Sequence, residues 1–329
     1  MMYKQAKAPH LRKTERASFL SLDVLIALAP MCMSSAVYFG LRPVLLVLTG
    51  LATAVLCETI CCLMMRRTPT VGDGTAAVTG ALVGALVSPV APYWMPAVGA
   101  AFAILAVKMP MGGSGRNLFN PAAAGLAVLT LCFPGFFFTY PDPGLTLPLP
   151  LSGSTAAVIT ETSPAAMLMS GGQTLYTRTV LLLGDFPGPI GATAIAVLCA
   201  CALYLFYRRT ASPLITLSYL GACAAPAALF PRMSGGAVGS VMIELCSGYL
   251  LFGGIFLLND PVTAPRHWLG RVAYGALAGV LVMLLRYFGR FEEGVCFAVL
   301  LVNAFSPIID RLCWYALNWR RIRKGGAVG

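Results

Sequence analysis

Apolar residues run along this chain in stretches of about the length of a bilayer crossing, divided by short polar breaks. A helix needs about 20 predominantly apolar residues to cross the hydrocarbon core. Ten stretches qualify as candidates: 20–39, 43–64, 74–91, 93–109, 120–138, 189–207, 213–231, 240–258, 270–288 and 294–314. Several are short or carry Gly and Pro, which predicts one or two broken or re-entrant helices. Such backbone is tolerated at membrane depth only where protein buries it or water reaches it. One connection, 139–188, is much longer than the rest. Connections beyond about 15 residues tend to be functional or disordered.

Composition supports lipid as the solvent. Of the 329 residues, 58% are hydrophobic and only 11% are charged, and the mean hydropathy is +0.80. A soluble domain is roughly a quarter charged. The reading is an all-α integral membrane protein of about ten transmembrane helices with one long external loop. It divides into an N-terminal arm (1–19), a first transmembrane half (20–138), the external loop (139–188), a second half (189–314) and a basic tail (315–329). The arm, MMYKQAKAPHLRKTER, reads as a cytosolic extension rather than a cleavable signal, with His10 a solvated residue in it.

The net charge of +11 is a topological signal. With the N-terminus inside, all 23 Lys and Arg fall on the inner side except Arg42, Arg178, Arg232, Arg286 and Arg290. That asymmetry follows the positive-inside rule. The basic residues come in short clusters between helices and at the two ends, which argues against nucleic acid as a partner. Five spans precede the long loop and five follow it, so the second half would be inverted relative to the first. Asn117-Leu-Phe-Asn-Pro121 and Asn303-Ala-Phe-Ser-Pro307 echo each other at the last span of each half. Together these suggest two inverted five-helix repeats, a common transporter plan.

The 11 cysteines nearly all lie within apolar runs, unlike a secreted disulfide framework. Cys57 and Cys61 would lie on one helix face as metal-ligand candidates, but without a CxxC they read as small hydrophobes. Gly112-Gly-Ser-Gly-Arg-Asn-Leu-Phe-Asn-Pro-Ala-Ala-Ala-Gly125 is the most distinctive run. Asn120 can cap a helix starting at Pro121, and the glycines permit close backbone approach. Asp73-Gly-Thr-Ala-Ala-Val-Thr-Gly80 and Asn259-Asp-Pro-Val-Thr-Ala-Pro265 could cap helices or line a cofactor pocket or ion path. Asp23, Glu58 and Glu244 fall inside apolar spans, where acids are expensive and often functional. Each is either an ion-path group or one half of a structural pair. Arg286-Tyr-Phe-Gly-Arg-Phe-Glu-Glu-Gly294 reads as a compact outer turn whose charges pair at the surface. No dinucleotide fingerprint or P-loop appears. With only two His, His10 and His267, no pair could ligate haem, so a redox role would use a cofactor that needs neither, such as a flavin.

DGTAAVTGALVGAL, GGSGRNLFNPAAAG, LLLGDFPGPIG, NDPVTAP and FEEGVCFAVLLVNAFSPIID resemble, in order and at similar spacing, the RnfD/NqrB family. The likeness covers roughly residues 20–312 and is greater to the RnfD branch, since no long N-terminal extension is present. The resemblance implies a membrane subunit of an Rnf-type complex that couples electron transfer between ferredoxin and NAD to Na⁺ or H⁺ translocation. It implies other membrane and peripheral Rnf subunits as partners, and the bacterial inner membrane with both termini cytosolic as the location. It also implies an FMN, joined by a phosphoester to a loop hydroxyl through a flavin transferase. A second, non-covalent flavin or a quinone near the glycine-rich motif is a further expectation.

Aligned on proline, Thr160-Glu-Thr-Ser-Pro164 matches the family's flavin-attachment motif. Ser163 takes the place of the modified threonine, with Thr162 beside it. The chain departs from the pattern in having Ser for Thr, Glu161 where a small residue is usual, Ala156-Ala-Val158 in place of an upstream acid, and Gly191-Ala192 for a later Gly-Glu pair. An ordinary hydroxyl-rich loop is the plain alternative. Rival functions are a stand-alone permease for a small solute and a structural subunit of the same complex without flavin.

Overall fold

The computed structural model describes residues 13–323 except 69, 145–146, 148, 150–159, 172–175 and 233–235. Every one of the ten apolar stretches contains a helix. Among the described residues four helices are long and apolar enough to span a membrane: α1 (Lys13–Phe39), α2 (Arg42–Met64) and, at the other end of the chain, two that close the fold. Between them lie α3 (Thr75–Ala85), α4 (Trp94–Phe102, prolonged by a π-helical turn Ala103–Lys108) and α5 (Pro121–Cys132). Three short helices follow: α6 (Pro134–Phe137), α7 (Pro164–Met169) and α8 (Arg178–Leu183). The second half comprises α9 (Ile195–Tyr207), α10 (Pro213–Leu229), α11 (Gly236–Cys246), α12 (Leu250–Phe252, prolonged by a π turn Gly253–Leu257), α13 (Trp268–Phe288) and α14 (Val295–Arg323). A two-residue ladder, β1 (Tyr140–Pro141) with β2 (Thr160–Glu161), ties the two sides of the long connection.

The fold is therefore an all-α multi-pass membrane protein, but more broken than the sequence pattern predicts. α3 has 11 residues, about 16 Å of helix, against a core of about 30 Å. It stops where Ser88, Pro89 and Pro92 make continued helix unfavourable. Its freed carbonyls are taken up across the fold: Gly191 N donates to Ala85 O at 2.6 Å and Ile190 N to Val87 O at 3.3 Å. The LLLGDFPGPIG segment thus satisfies a helix end buried in protein, the condition for irregular backbone at this depth. α11 and α12 form one bent pair, with 67° between their axes, broken at Ser247-Gly248.

α1 packs on α9, the first apolar helix of each half, and α5 packs on α14, the last of each. α2 packs on α3, α10 on α13, and close approach is built from glycine. A Cβ at Gly80 would collide with the carbonyl of Gly50. The outward faces stay apolar: Leu22, Ile26, Met33 and Val37 on α1, and Leu301, Phe305, Ile308 and Leu312 on α14 are exposed. Large apolar patches of this kind mark a membrane or protein interface.

The connections gather at two ends. One end brings together the starts of α3 and α5, the π turns after α4 and α12, and the turns before α10 and α13. Opposite it lie the breaks after α3 and α11, the long connection and the turn 289–294. Three of the arginines at this second end are consumed internally. Arg42 is buried and donates to Pro89 O and Ala91 O, and Arg232 and Arg286 are ion-paired. They are structural groups, which is why they escape the charge rule.

Candidate functional site

At the first end lies a cavity of about 440 Å³, within the range of roughly 300–1,000 Å³ typical of small-molecule sites. Val24, Leu82, Leu205 and Phe256 supply apolar wall; Thr75, Lys108, Asn120 and Asn259 supply polar groups. The helix ends that meet here are fixed by side-chain caps. Asn120 Oδ1 accepts Ala122 N (2.9 Å) and Ala123 N (3.2 Å), and its Nδ2 donates to Leu257 O at the end of the α12 π turn (2.8 Å). Asn259 Nδ2 donates to Gly254 O and Thr216 Oγ1, both at 2.9 Å, and its Oδ1 accepts Ser212 N at 2.8 Å. Both asparagines from the sequence motifs therefore hold broken helices against each other. π turns inside helices frequently accompany functional sites, and here both end at this cavity.

Glu58 is fully buried and paired with buried Lys108 at 3.0 Å. The pair sits in a chain of hydrogen bonds. Thr70 Oγ1 donates to Glu58 Oε1 (2.6 Å), Lys108 Nζ to Thr75 Oγ1 (2.6 Å), and Thr75 Oγ1 to Asp73 Oδ1 (2.7 Å). Asp73 also accepts Thr75 N at 2.9 Å, the capping role expected of it. Asp23 pairs with Arg208 at 3.0 Å and accepts Thr210 Oγ1 at 2.9 Å. Two of the three intramembrane acids thus have structural partners at this end. Lys108 was legible only as one of the inner cations; burial against Glu58 was not.

The second end holds the predicted loop residues. Ser163 is buried and forms the N-cap of α7, accepting Ala166 N at 3.1 Å. Its hydroxyl donates to Glu292 Oε2 at 2.6 Å. Thr162, beside it, is exposed. The two candidates therefore separate: one hydroxyl is held against a carboxylate, the other faces outward. The departures at Ala156–Val158 lie outside the described residues.

The turn 289–294 is not a surface turn. Glu293 and Arg286 are buried and ion-paired, and Arg286 Nη1 also donates to Glu244 O (2.7 Å) and Glu244 Oε2 (3.2 Å). Arg232 pairs with Glu244 at 2.6 Å. Gly248, at φ +60°, permits this approach, since a Cβ there would collide with the Glu293 carboxylate. The sequence expectation of exposed pairing fails because the bend between α11 and α12 leaves Ser247 O free to accept Arg286 Nη2 (2.8 Å), drawing the guanidinium inward. Phe291 stacks between Phe138 and Phe297, 6.2 Å from each, and docks the turn on the start of the long connection. Burial pushes both Glu292 and Glu293 up to about 7, against Ser163 and Arg286 at Glu292 and against Arg286 at Glu293, which pull them down.

Among the described residues no group of three His, Cys, Asp or Glu could hold a metal ion. The cysteines are free.

A multi-pass helical protein with broken helices meeting at a cavity, and a pinned loop at the opposite end, defines the class. The chain belongs to the NQR2, RnfD, RnfE family, whose profile matches residues 4–316. It is 30% identical to the D subunit of the proton-translocating ferredoxin:NAD(+) oxidoreductase complex of Clostridium ljungdahlii, over 93% of each chain. It is 32% identical to the D subunit of the ion-translocating oxidoreductase complex of Sodalis glossinidius, over 94% of this chain and 97% of that one. The corresponding protein of Salmonella paratyphi B is 33% identical, over 94% of this chain and 96% of that one.

Proposed function

We propose that this chain is the D-type membrane component of an Rnf-type ion-translocating oxidoreductase. Near-full-length likeness to several proteins of that name supports the reading. The other membrane and peripheral subunits of such a complex are its partners, and a bacterial inner membrane with the basic end cytosolic is its setting. The basic clusters support that orientation.

The reading includes an FMN joined by a phosphoester at the 162–163 hydroxyl pair, on Ser163. The observation that carries it is the bond from Ser163 Oγ to Glu292, which places a proton acceptor on the hydroxyl that the motif singles out. When bound, the flavin supplies one-electron chemistry, and the protein supplies position and electrostatics. A second, non-covalent flavin would be held in the cavity at the basic end, whose lining includes apolar Leu82 and Phe256 and polar Thr75 and Lys108.

Peptide mass spectrometry of the chain from a host that flavinylates other proteins tests the first site, and flavin released on acid denaturation tests the second. An adduct on the peptide spanning 160–171 supports the carrier reading. An unmodified loop overturns it and leaves the chain a structural component without covalent flavin. Purification free of any partner subunit favours a stand-alone permease.

A further inference from the structure

We propose that Glu292, from the turn between α13 and α14, is the base that takes the proton of Ser163 when the loop hydroxyl is esterified. The inference rests on the covalent-flavin reading above and names the group of this chain that makes attachment possible.

Serine is a weak nucleophile at its free pKa and is activated by a base within hydrogen-bond reach, about 2.6–3.2 Å. Among the described residues Glu292 Oε2 meets that condition, at 2.6 Å, with the hydroxyl hydrogen directed at it. The hydroxyl's other contact is as an acceptor from Ala166 N, so a lone pair remains for a new bond and the side chain is held in one orientation. The carboxylate comes from 129 residues away, so the spacing within the loop motif could not reveal it.

The turn is rigid for this purpose. Phe291 is stacked on Phe138 and Phe297, and Glu293 is tied to Arg286. The charged and titratable groups around Glu292 are Ser163 at the start of α7, Arg286 from α13, Tyr140 from β1, and Glu293 and Arg290 on its own turn. Glu244 lies beyond Arg286. Arg286 is already shared by Glu244 and Glu293, so it stabilises Glu292 as an anion only in part. Burial holds the Glu292 carboxyl at about 7, a useful value for a base at neutral pH.

The step balances as follows. The donor is a flavin dinucleotide presented by the flavin transferase. Ser163 Oγ bonds to the flavin-side phosphorus, the bridging P–O bond breaks, and the nucleoside monophosphate leaves with the bridging oxygen. The serine proton passes to Glu292 Oε2. No electron is transferred.

The test uses the full chain in detergent with purified flavin transferase and flavin dinucleotide, following adduct formation by intact mass against pH. The wild-type rate rises towards a plateau through about pH 7. Glu292→Gln keeps the geometry but not the base, lowering the rate roughly 100-fold, within the range of general-base effects, and removing the pH inflection. Glu292→Asp restores part of the rate, and thermal unfolding shows Glu292→Gln folded. Modification of Glu292→Gln at the wild-type rate, or an adduct on Thr162, overturns the role of Glu292 while the carrier reading stands. A wild-type chain that takes no flavin overturns both.

Discussion

With its side-chain amide assigned so that oxygen faces the donor and nitrogen the acceptors, Asn303, about two turns into α14, accepts the backbone N–H of Asn120 at 2.8 Å and donates to Val299 O (3.3 Å) and Tyr274 Oη (2.6 Å). The two echoed motifs, one in each half, meet at Asn120, on the wall of the cavity. Asn120 is also the cap of α5 and holds the end of the α12 π turn. A single contact therefore joins the broken helices of both halves. Asn303→Ala leaves the Asn120 N–H buried and without its partner, which costs about 1–3 kcal/mol. Thermal unfolding in detergent should show the drop; Asn303→Asp, which keeps the acceptor, should lose less. Equal losses in the two variants would mean that the acceptor at Asn120 does not matter.

Arg286 is the hub of the opposite end. Removing one member of a buried charge pair costs about 3–5 kcal/mol, because the remaining charges lose their partner. Arg286→Met leaves buried Glu293 without its cation and Glu244 with Arg232 alone, and should sharply reduce accumulation of folded protein in the membrane. Adding Glu293→Gln to that variant should recover part of the yield. No recovery would place the loss in the Glu244 contacts or in packing instead.

Much of the architecture was legible in hydrophobic periodicity, since lipid demands apolar faces whatever the tertiary packing. Each of the ten stretches contains a helix, and Asn120 and Pro121 hold the N-cap and first-turn places of α5 that their residue types favour. What local sequence could not show was how the helix ends are satisfied. α3 ends before Ser88, Pro89 and Pro92, but the donors to the carbonyls there, Gly191 N to Ala85 O and Ile190 N to Val87 O, come from far along the chain and leave no periodic trace. The buried pairs Glu58–Lys108 and Arg286–Glu293 were equally hidden. A charge in a turn looks exposed until the bend that buries it is known. The serine at 163 was visible through its motif; its carboxylate partner was not.

The carboxyls of Glu292 and Glu293 are raised from 4.5 to about 7 in the folded chain. Between about pH 4.5 and 7 the folded state retains protons that the unfolded state has released. Stability from these groups is therefore greatest below that window, falls as pH rises through it, and levels off above about 7. The unfolding temperature should drop between pH 5 and pH 7.5, and Glu292→Gln should flatten part of that slope. An unchanged slope in Glu292→Gln would remove Glu292 as a titrating group in this range.

Gly80 lies against Gly50 with no room for a side chain. Gly80→Val must push α3 from α2 and, with it, Thr75 from Lys108 at the cavity. Overpacking of this kind typically costs about 1–3 kcal/mol. The displacement should also lower retention of any flavin released from the cavity on denaturation, per mole of folded protein. A variant that is less stable yet holds its full complement of releasable flavin would separate the α2–α3 contact from the cavity.

Lys108 and Glu58 offer a test of whether the inner pair is structural or conducts an ion. Lys108→Met leaves Glu58 buried with Thr70 as its one remaining hydrogen-bond donor among the described residues, a loss of about 3–5 kcal/mol. Replacing both by apolar residues of similar volume removes the stranded charge, and such exchanges are often neutral or stabilising. The pair as a structural device predicts that Lys108→Met with Glu58→Leu recovers most of the thermal stability lost by Lys108→Met alone. Ion translocation in vesicles by the whole complex then decides the role. Recovery of both stability and translocation in the double variant makes the pair a structural clamp. Recovery of stability alone, with electron transfer intact and translocation lost, makes Glu58 part of the ion path.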